Sequence, residues 1–284
     1  MLQSRPDNNA RDRNCWNPME VANESDGPLE NILAQAFPGA NEKMRNGCLS
    51  QSEARAQMLG FARSIGGDVS IVFGFGSAIS GSFKPYSDLD VFIVLNSDEP
   101  WKKTCSMYNG FAVEAQTIGK SKIKGLMQFA RHSGRALAVS PLATGEILYD
   151  KEGNASALQR IFKQIFEQGP DEAPIILINN IRSMLTSKIV EMATNPDINE
   201  QISCGLSIYE MLITLMCCQR RYWIRNDKWI PRLLQRDESV SFQEIATCYR
   251  KLLDGQPDEL IALSNRVLSK SGGGLWSGHS LTIA

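Results

Sequence analysis

Histidine is scarce in this chain: two in 284 residues, His132 and His279. Zinc sites draw on histidine and cysteine together. None of the seven cysteines (15, 48, 105, 204, 217, 218, 248) stands in a C-x-x-C pair, so structural zinc is not expected. The thiols are odd in number, and those on apolar segments, notably Cys217-Cys218 inside LITLMCCQ, read as buried and reduced, as in a cytosol. An excess of either charge is missing too, since 30 Lys and Arg face 31 Asp and Glu for a formal net charge of −1. Long nucleic acids usually require a bulk basic field, so small-molecule or protein partners are favoured. No uninterrupted apolar run reaches the ~18 residues of a membrane span. The polar N-terminus lacks the apolar stretch of a secretory signal. The expected location is the cytoplasm. Two glycine motifs are also lacking. Gly76 and Gly81 are followed by Ser82 where a P-loop needs lysine, and Ile79 stands where a dinucleotide fingerprint needs its third glycine.

Core-forming material is present in ordinary measure, 43% hydrophobic against 21% charged residues, enough for one large or two modest domains. Residues 1–45 show little periodicity and read as a flexible segment with at most a short helix over 29–37. Ser50 and Glu53 form a capping box for a helix with Met58, Leu59, Phe61 and Ala62 inward and Gly66-Gly67 at its end. Strands are expected over 69–75, 88–95 and 111–118, a helix over 122–131 and a short strand over 145–149. From about residue 155 the apolar period turns helical, in segments 155–168, 173–193, 198–225, 241–253 and 257–270. GGG at 272–274 reads as a loose tail. The expected fold is therefore an α/β (α+β) domain with a mixed sheet over 46–150, then an all-α helical bundle over 151–284.

The most informative stretch is 71–95, IVFGFGSAISGSFKPYSDLDVFIVL. An apolar strand enters a Gly76-Ser77 turn, ten residues follow, and a second apolar strand opens with Asp88-Leu89-Asp90. Alternate strand residues share a face, so Asp88 and Asp90 point together, about 6–7 Å apart along the strand. Such a pair can share one or two hard cations, and Mg²⁺ is the usual one beside phosphates. Two Mg²⁺ are expected here. Gly76 and Ser77 offer close backbone approach, N–H groups and a hydroxyl for a phosphate, and Ser87 is counted with them as a nucleotide contact. Glu114 lies in mid-strand in FAVEAQTI, where burial among apolar neighbours demands a metal or a hydrogen bond. The competing reading of Glu114 is an edge strand with its carboxylate in solvent.

These residues resemble the signature of polymerase-β-type nucleotidyltransferases: Gly-Ser, a spacer of about ten residues, then Asp-x-Asp between apolar strands. GSAISGSFKPYSDLD is most similar to the aminoglycoside adenylyltransferases that modify streptomycin and spectinomycin. The resemblance implies antibiotic modification: AMP transfer from ATP to a hydroxyl acceptor with release of pyrophosphate, on an Mg²⁺ site of Asp88, Asp90 and Glu114. It further implies that Glu114 is the general base. YWIRNDKWIPRLL is similar to the helical segment in which a lysine, here Lys228, reaches the triphosphate. The loop between Asp90 and Glu114 is shorter than in the antibiotic-modifying enzymes, which bears on the acceptor pocket more than on the chemistry.

Other readings remain open at this level. Toxin-type members of the superfamily modify a protein or a tRNA. A glycosyltransferase would use Asp-x-Asp but leave Gly76-Ser77 unexplained, and a non-catalytic nucleotide-binding module would leave the three carboxylates unused. Arg221, Arg225, Lys228, Arg232 and Arg236 recur at helical spacing, though Asn226-Asp227 and Pro231 suggest two helices meeting at a turn. Trp223, Trp229 and Tyr222 can stack on a base, yet aromatic residues at helical spacing more often form core. Glu200, Glu210, Asp227, Asp237 and Glu238 are acidic candidates for a polycationic acceptor.

Overall fold

A computed structural model describes residues 28–136, 138–224, 229–234 and 240–277. Its elements run α1 (Pro28–Ala36), α2 (Glu42–Asn46), α3 (Gln51–Ser64), β1 (Val69–Phe75), α4 (Gly76–Ser80), β2 (Leu89–Leu95), β3 (Lys102–Tyr108) and β4 (Phe111–Gly119). They continue as α5 (Ile123–Ser133), α6 (Val139–Thr144), β5 (Glu146–Asp150), α7 (Ala155–Gln168), α8 (Ile175–Thr194), α9 (Ile198–Arg220), α10 (Trp229–Leu234), α11 (Phe242–Leu253) and α12 (Asp258–Ser269). The chain divides into two units. One runs to Lys124 and takes in Ser140–Phe162; the other joins Gly125–Val139 to everything from Lys163 onward.

The first unit is built on a mixed five-stranded sheet of order β3-β4-β2-β1-β5. Only β2 and β4 run parallel; the other neighbours are antiparallel. Central position explains the continuous apolar run of β2, whose Leu89, Val91, Phe92, Ile93 and Val94 are all 0% exposed. α3 covers one face through Ala54, Met58, Phe61 and Ala62, which join Val72, Leu89, Val91 and Ile93 in one core. Its capping box forms as the sequence suggests, with Glu53 N–H donating to Ser50 Oγ and Ser50 N–H to Glu53 Oε2.

Three expectations need correction here. β3 had no counterpart among the expected strands: KKTCSMY is exposed along nearly its whole length, so it lacks the period-two pattern that marks a half-buried strand. The local signal was Asn109-Gly110, whose φ angles of 50° and 79° make the left-handed turn that tight hairpins favour. Within residues 1–45 the short helix expected over 29–37 is present as α1, but the stretch after it, expected to be flexible, leads into α2 and buries Met44 fully in the sheet core. A five-residue helix is too short to show periodicity, so this docking left no pattern to read. Nor is the GGG stretch loose, because Arg182 donates to the carbonyls of Gly272 and Gly273, and Leu275 N–H donates to Thr186 Oγ1.

The second unit is helical. Leu185, Met192, Ile208, Leu212, Leu215 and Leu260 form its centre. Gly205 allows a close approach within it: an added Cβ would lie 2.4 Å from Leu252 Cδ2. By length and composition alone, α9 is apolar enough to cross a membrane; in this unit it contributes Ile208, Leu212, Leu215 and Met216 to the core.

Candidate active site: carboxylates on paired strands beside a glycine turn

β1 ends at Phe75, which pairs with Asp90 on β2, so the turn that follows lies next to that carboxylate. Gly76 has φ 76°, and a Cβ built there would stand 1.8 Å from Asp90 Oδ2. The left-handed backbone angle favours glycine, and a side chain there would have to displace the Asp90 carboxylate. The short helix α4 starts at this glycine and stops at Gly81, a left-handed cap with φ 75°.

The loop into Asp88 is braced. Ser87 N–H donates to the Lys84 carbonyl, and Lys84 N–H donates to Ser87 Oγ. Tyr86 adopts φ 60°, a conformation that non-glycine residues take at some cost. Its N–H donates to the Met44 carbonyl, and its ring lies 5.5 Å from that of Phe37. The N-terminal helices thus hold the loop that delivers Asp88. Ser87 itself, taken from the sequence as a nucleotide contact, has its hydroxyl engaged in this loop.

Asp90 and Glu114 are direct partners in the parallel β2–β4 ladder, and both are half-buried. Ligand oxygens of Asp88, Asp90 and Glu114 all lie within 4.8 Å of one another. The three acids named from the sequence therefore come together. β4 is flanked by β2 and β3, which removes the edge-strand reading of Glu114. An all-oxygen, anionic donor set of this kind fits a hard cation such as Mg²⁺.

Two groups near the acids were missed. Lys103 on β3 places Nζ 2.7 Å from Glu114 Oε2. The hydrogen bond to Glu114 raises the Lys103 pKa above its ordinary value, against an opposing effect of burial, and Asp90 adds a weaker attraction. Gln116, two positions beyond Glu114 on the same face and 6% exposed, accepts a hydrogen bond from the Trp101 indole. Nothing in the sequence around Lys103 marked it, since its relation to Glu114 depends on the hairpin register.

Elsewhere the candidates disperse. Lys228, with Arg225, Arg236, Asp227, Asp237, Glu238 and His279, lies outside the described residues. The basic residues do not follow one continuous helix: α9 ends at Arg220 and α10 begins at Trp229. Arg221 holds the Pro170 carbonyl through two nitrogens, and the Arg232 guanidinium lies 4.7 Å above the Trp229 ring. Trp223 is core: 5% exposed, stacked on Phe166, and donating to the Phe166 carbonyl.

Comparison with known proteins bears on the sheet unit. Residues 56–154 match the family described as a nucleotidyltransferase domain. The chain is also similar to the solved structure of a nucleotidyltransferase-like protein from Exiguobacterium sibiricum, at 10% identity and TM-score 0.43, covering 78% of this chain and 76% of that one. No curated protein matches the chain significantly. The family match begins within α3 and ends shortly after β5, so the similarity to nucleotidyltransferase domains falls on the sheet portion of the chain and spans the Gly76-Ser77 turn and all three acids.

Proposed function

We propose that the protein transfers a nucleoside monophosphate, AMP from ATP in the first instance, to a hydroxyl group of a small molecule and releases pyrophosphate. One observation carries the reading: three carboxylates on adjacent strands converge beside a glycine whose missing side chain leaves room for Asp90. Asp88, Asp90 and Glu114 would hold Mg²⁺. When bound, that ion supplies charge stabilisation at the α-phosphoryl group and the leaving pyrophosphate. The backbone and hydroxyl of Gly76-Ser77 orient the triphosphate. Glu114 takes the proton from the acceptor hydroxyl as its oxygen bonds to the α-phosphorus and the bond to pyrophosphate breaks.

Lys228 is the candidate from the helical part of the chain for the triphosphate. An aminoglycoside-like antibiotic is the leading acceptor, on the resemblance of GSAISGSFKPYSDLD, and cytoplasmic chemistry suits the six free thiols among the described residues. Incubation with Mg²⁺ and each NTP in turn, followed by mass spectrometry of candidate acceptors, tests the reading. An adduct of 5′-AMP on a small-molecule hydroxyl is expected. Pyrophosphate release with no acceptor modified, or modification confined to protein or tRNA, would overturn the acceptor class.

A further inference from the structure

The acidic cluster contains a fourth charged group that the Gly-Ser and Asp-x-Asp pattern does not account for. Lys103 is placed there by backbone pairing. Across the antiparallel β3–β4 ladder, Lys103 pairs with Gln116 and Cys105 with Glu114, so the side chains of all four lie on one face. Lys103 is then the diagonal neighbour of Glu114, within reach of a long side chain. Glu114 meets Asp90 on its β2 side and Lys103 on its β3 side. An ion shared by the three acids belongs on the β2 side, where their oxygens converge within 4.8 Å. On the β3 side, one Glu114 oxygen already has an ammonium at 2.7 Å. A second dication bound through that carboxylate would have to sit close to this ammonium, and like charges repel.

We propose that Lys103 takes the place of a second divalent ion, so that the site holds a single Mg²⁺ with the nucleotide. This rests on the nucleotidyl-transfer reading above and replaces the pair of ions that Asp88 and Asp90 suggest by themselves. Lys103 is then a positioning residue. Its ammonium holds one oxygen of Glu114 and supplies one positive charge without the octahedral shell that Mg²⁺ demands.

The test counts ions, not turnover. Mn²⁺ is titrated into the full chain with a non-hydrolysable ATP analogue and bound ions are counted by electron paramagnetic resonance. One Mn²⁺ per chain is expected for the wild type and for Lys103→Arg, which keeps the charge; two are expected for Lys103→Met. Two ions in the wild type would overturn the inference, as would a single ion in the methionine variant. Mn²⁺ bound without any dependence on nucleotide would overturn the transferase reading, and this inference with it.

Discussion

The sheet unit gathers three acids at one place, whereas several polar side chains of the helical unit are tied to backbone carbonyls. In the helices, half-buried polar groups are tied to nearby backbone. Arg221 holds the Pro170 carbonyl, Gln219 that of Val267, Ser264 that of Leu260, Tyr249 that of Gly205, and Arg182 those of Gly272 and Gly273. Each bond satisfies a group that burial would otherwise penalise, and each contributes to stability. In the sheet, β2 and β4 instead set carboxylates side by side, Asp90 against Glu114, with Asp88 beside them. Like charges on neighbouring strands destabilise a fold. That cluster is the basis of the function proposed above. Polar groups directed to backbone in one unit support the fold; in the other, acids are directed at one another, and Lys103 pairs with one of them.

The sharpest break of this comparison comes from the carboxylates. Asp88→Asn or Asp90→Asn keeps side-chain shape and removes the charge that holds the metal. We expect turnover to fall by about 10³-fold or more, while the melting temperature stays level or rises as repulsion is relieved. Circular dichroism melts beside single-turnover rates check this, and activity within tenfold of wild type would contradict the site.

Glu114→Gln should slow the chemical step by about 10²-fold or more, the usual contribution of a positioned base. Calorimetric titration of the nucleotide decides the role. Unchanged affinity marks a base acting only on the acceptor, whereas weakened binding marks a metal ligand.

The helical unit should behave in the converse manner. Leu212→Ala, at a fully buried position, should cost about 2–5 kcal/mol of stability. In urea at concentrations where the variant remains folded, single-turnover chemistry should be nearly that of wild type. A large loss of rate with unchanged stability would break the comparison from the other side.

The smallest effects concern thiols and pH. Burial pushes the Cys217 thiol from 9.0 up to about 12, whereas Cys48 and Cys105 are exposed. Because the folded value is raised, the associated stability is fully present below about pH 9 and lost as pH rises toward about 12. Thiol labelling at pH 8 should modify Cys48 and Cys105 quickly and spare Cys204, Cys217 and Cys248 until the chain unfolds. Rapid labelling of Cys217 in the folded protein would show the helical core to be open.

What could be read from the chain alone was local or periodic. Gly76-Ser77 and Asp88-x-Asp90 were legible because a strand's two-residue alternation puts both acids on one face without knowledge of the neighbouring strands. The capping box at Ser50 and the helices beyond residue 155 were legible for the same reason: hydrogen bonds and apolar spacing repeat within a few residues. Tertiary structure alone decided the rest. Met44 is buried because the N-terminal helices pack on a sheet formed later in the chain. Asp90 crowds position 76, where a glycine stands, because β1 and β2 pair in one particular register. Lys103 meets Glu114 because a hairpin closed at Asn109-Gly110 lays an exposed, patternless strand beside β4. Contacts between strands depend on register, and register is settled by the packing of the whole sheet, which no single stretch of sequence contains.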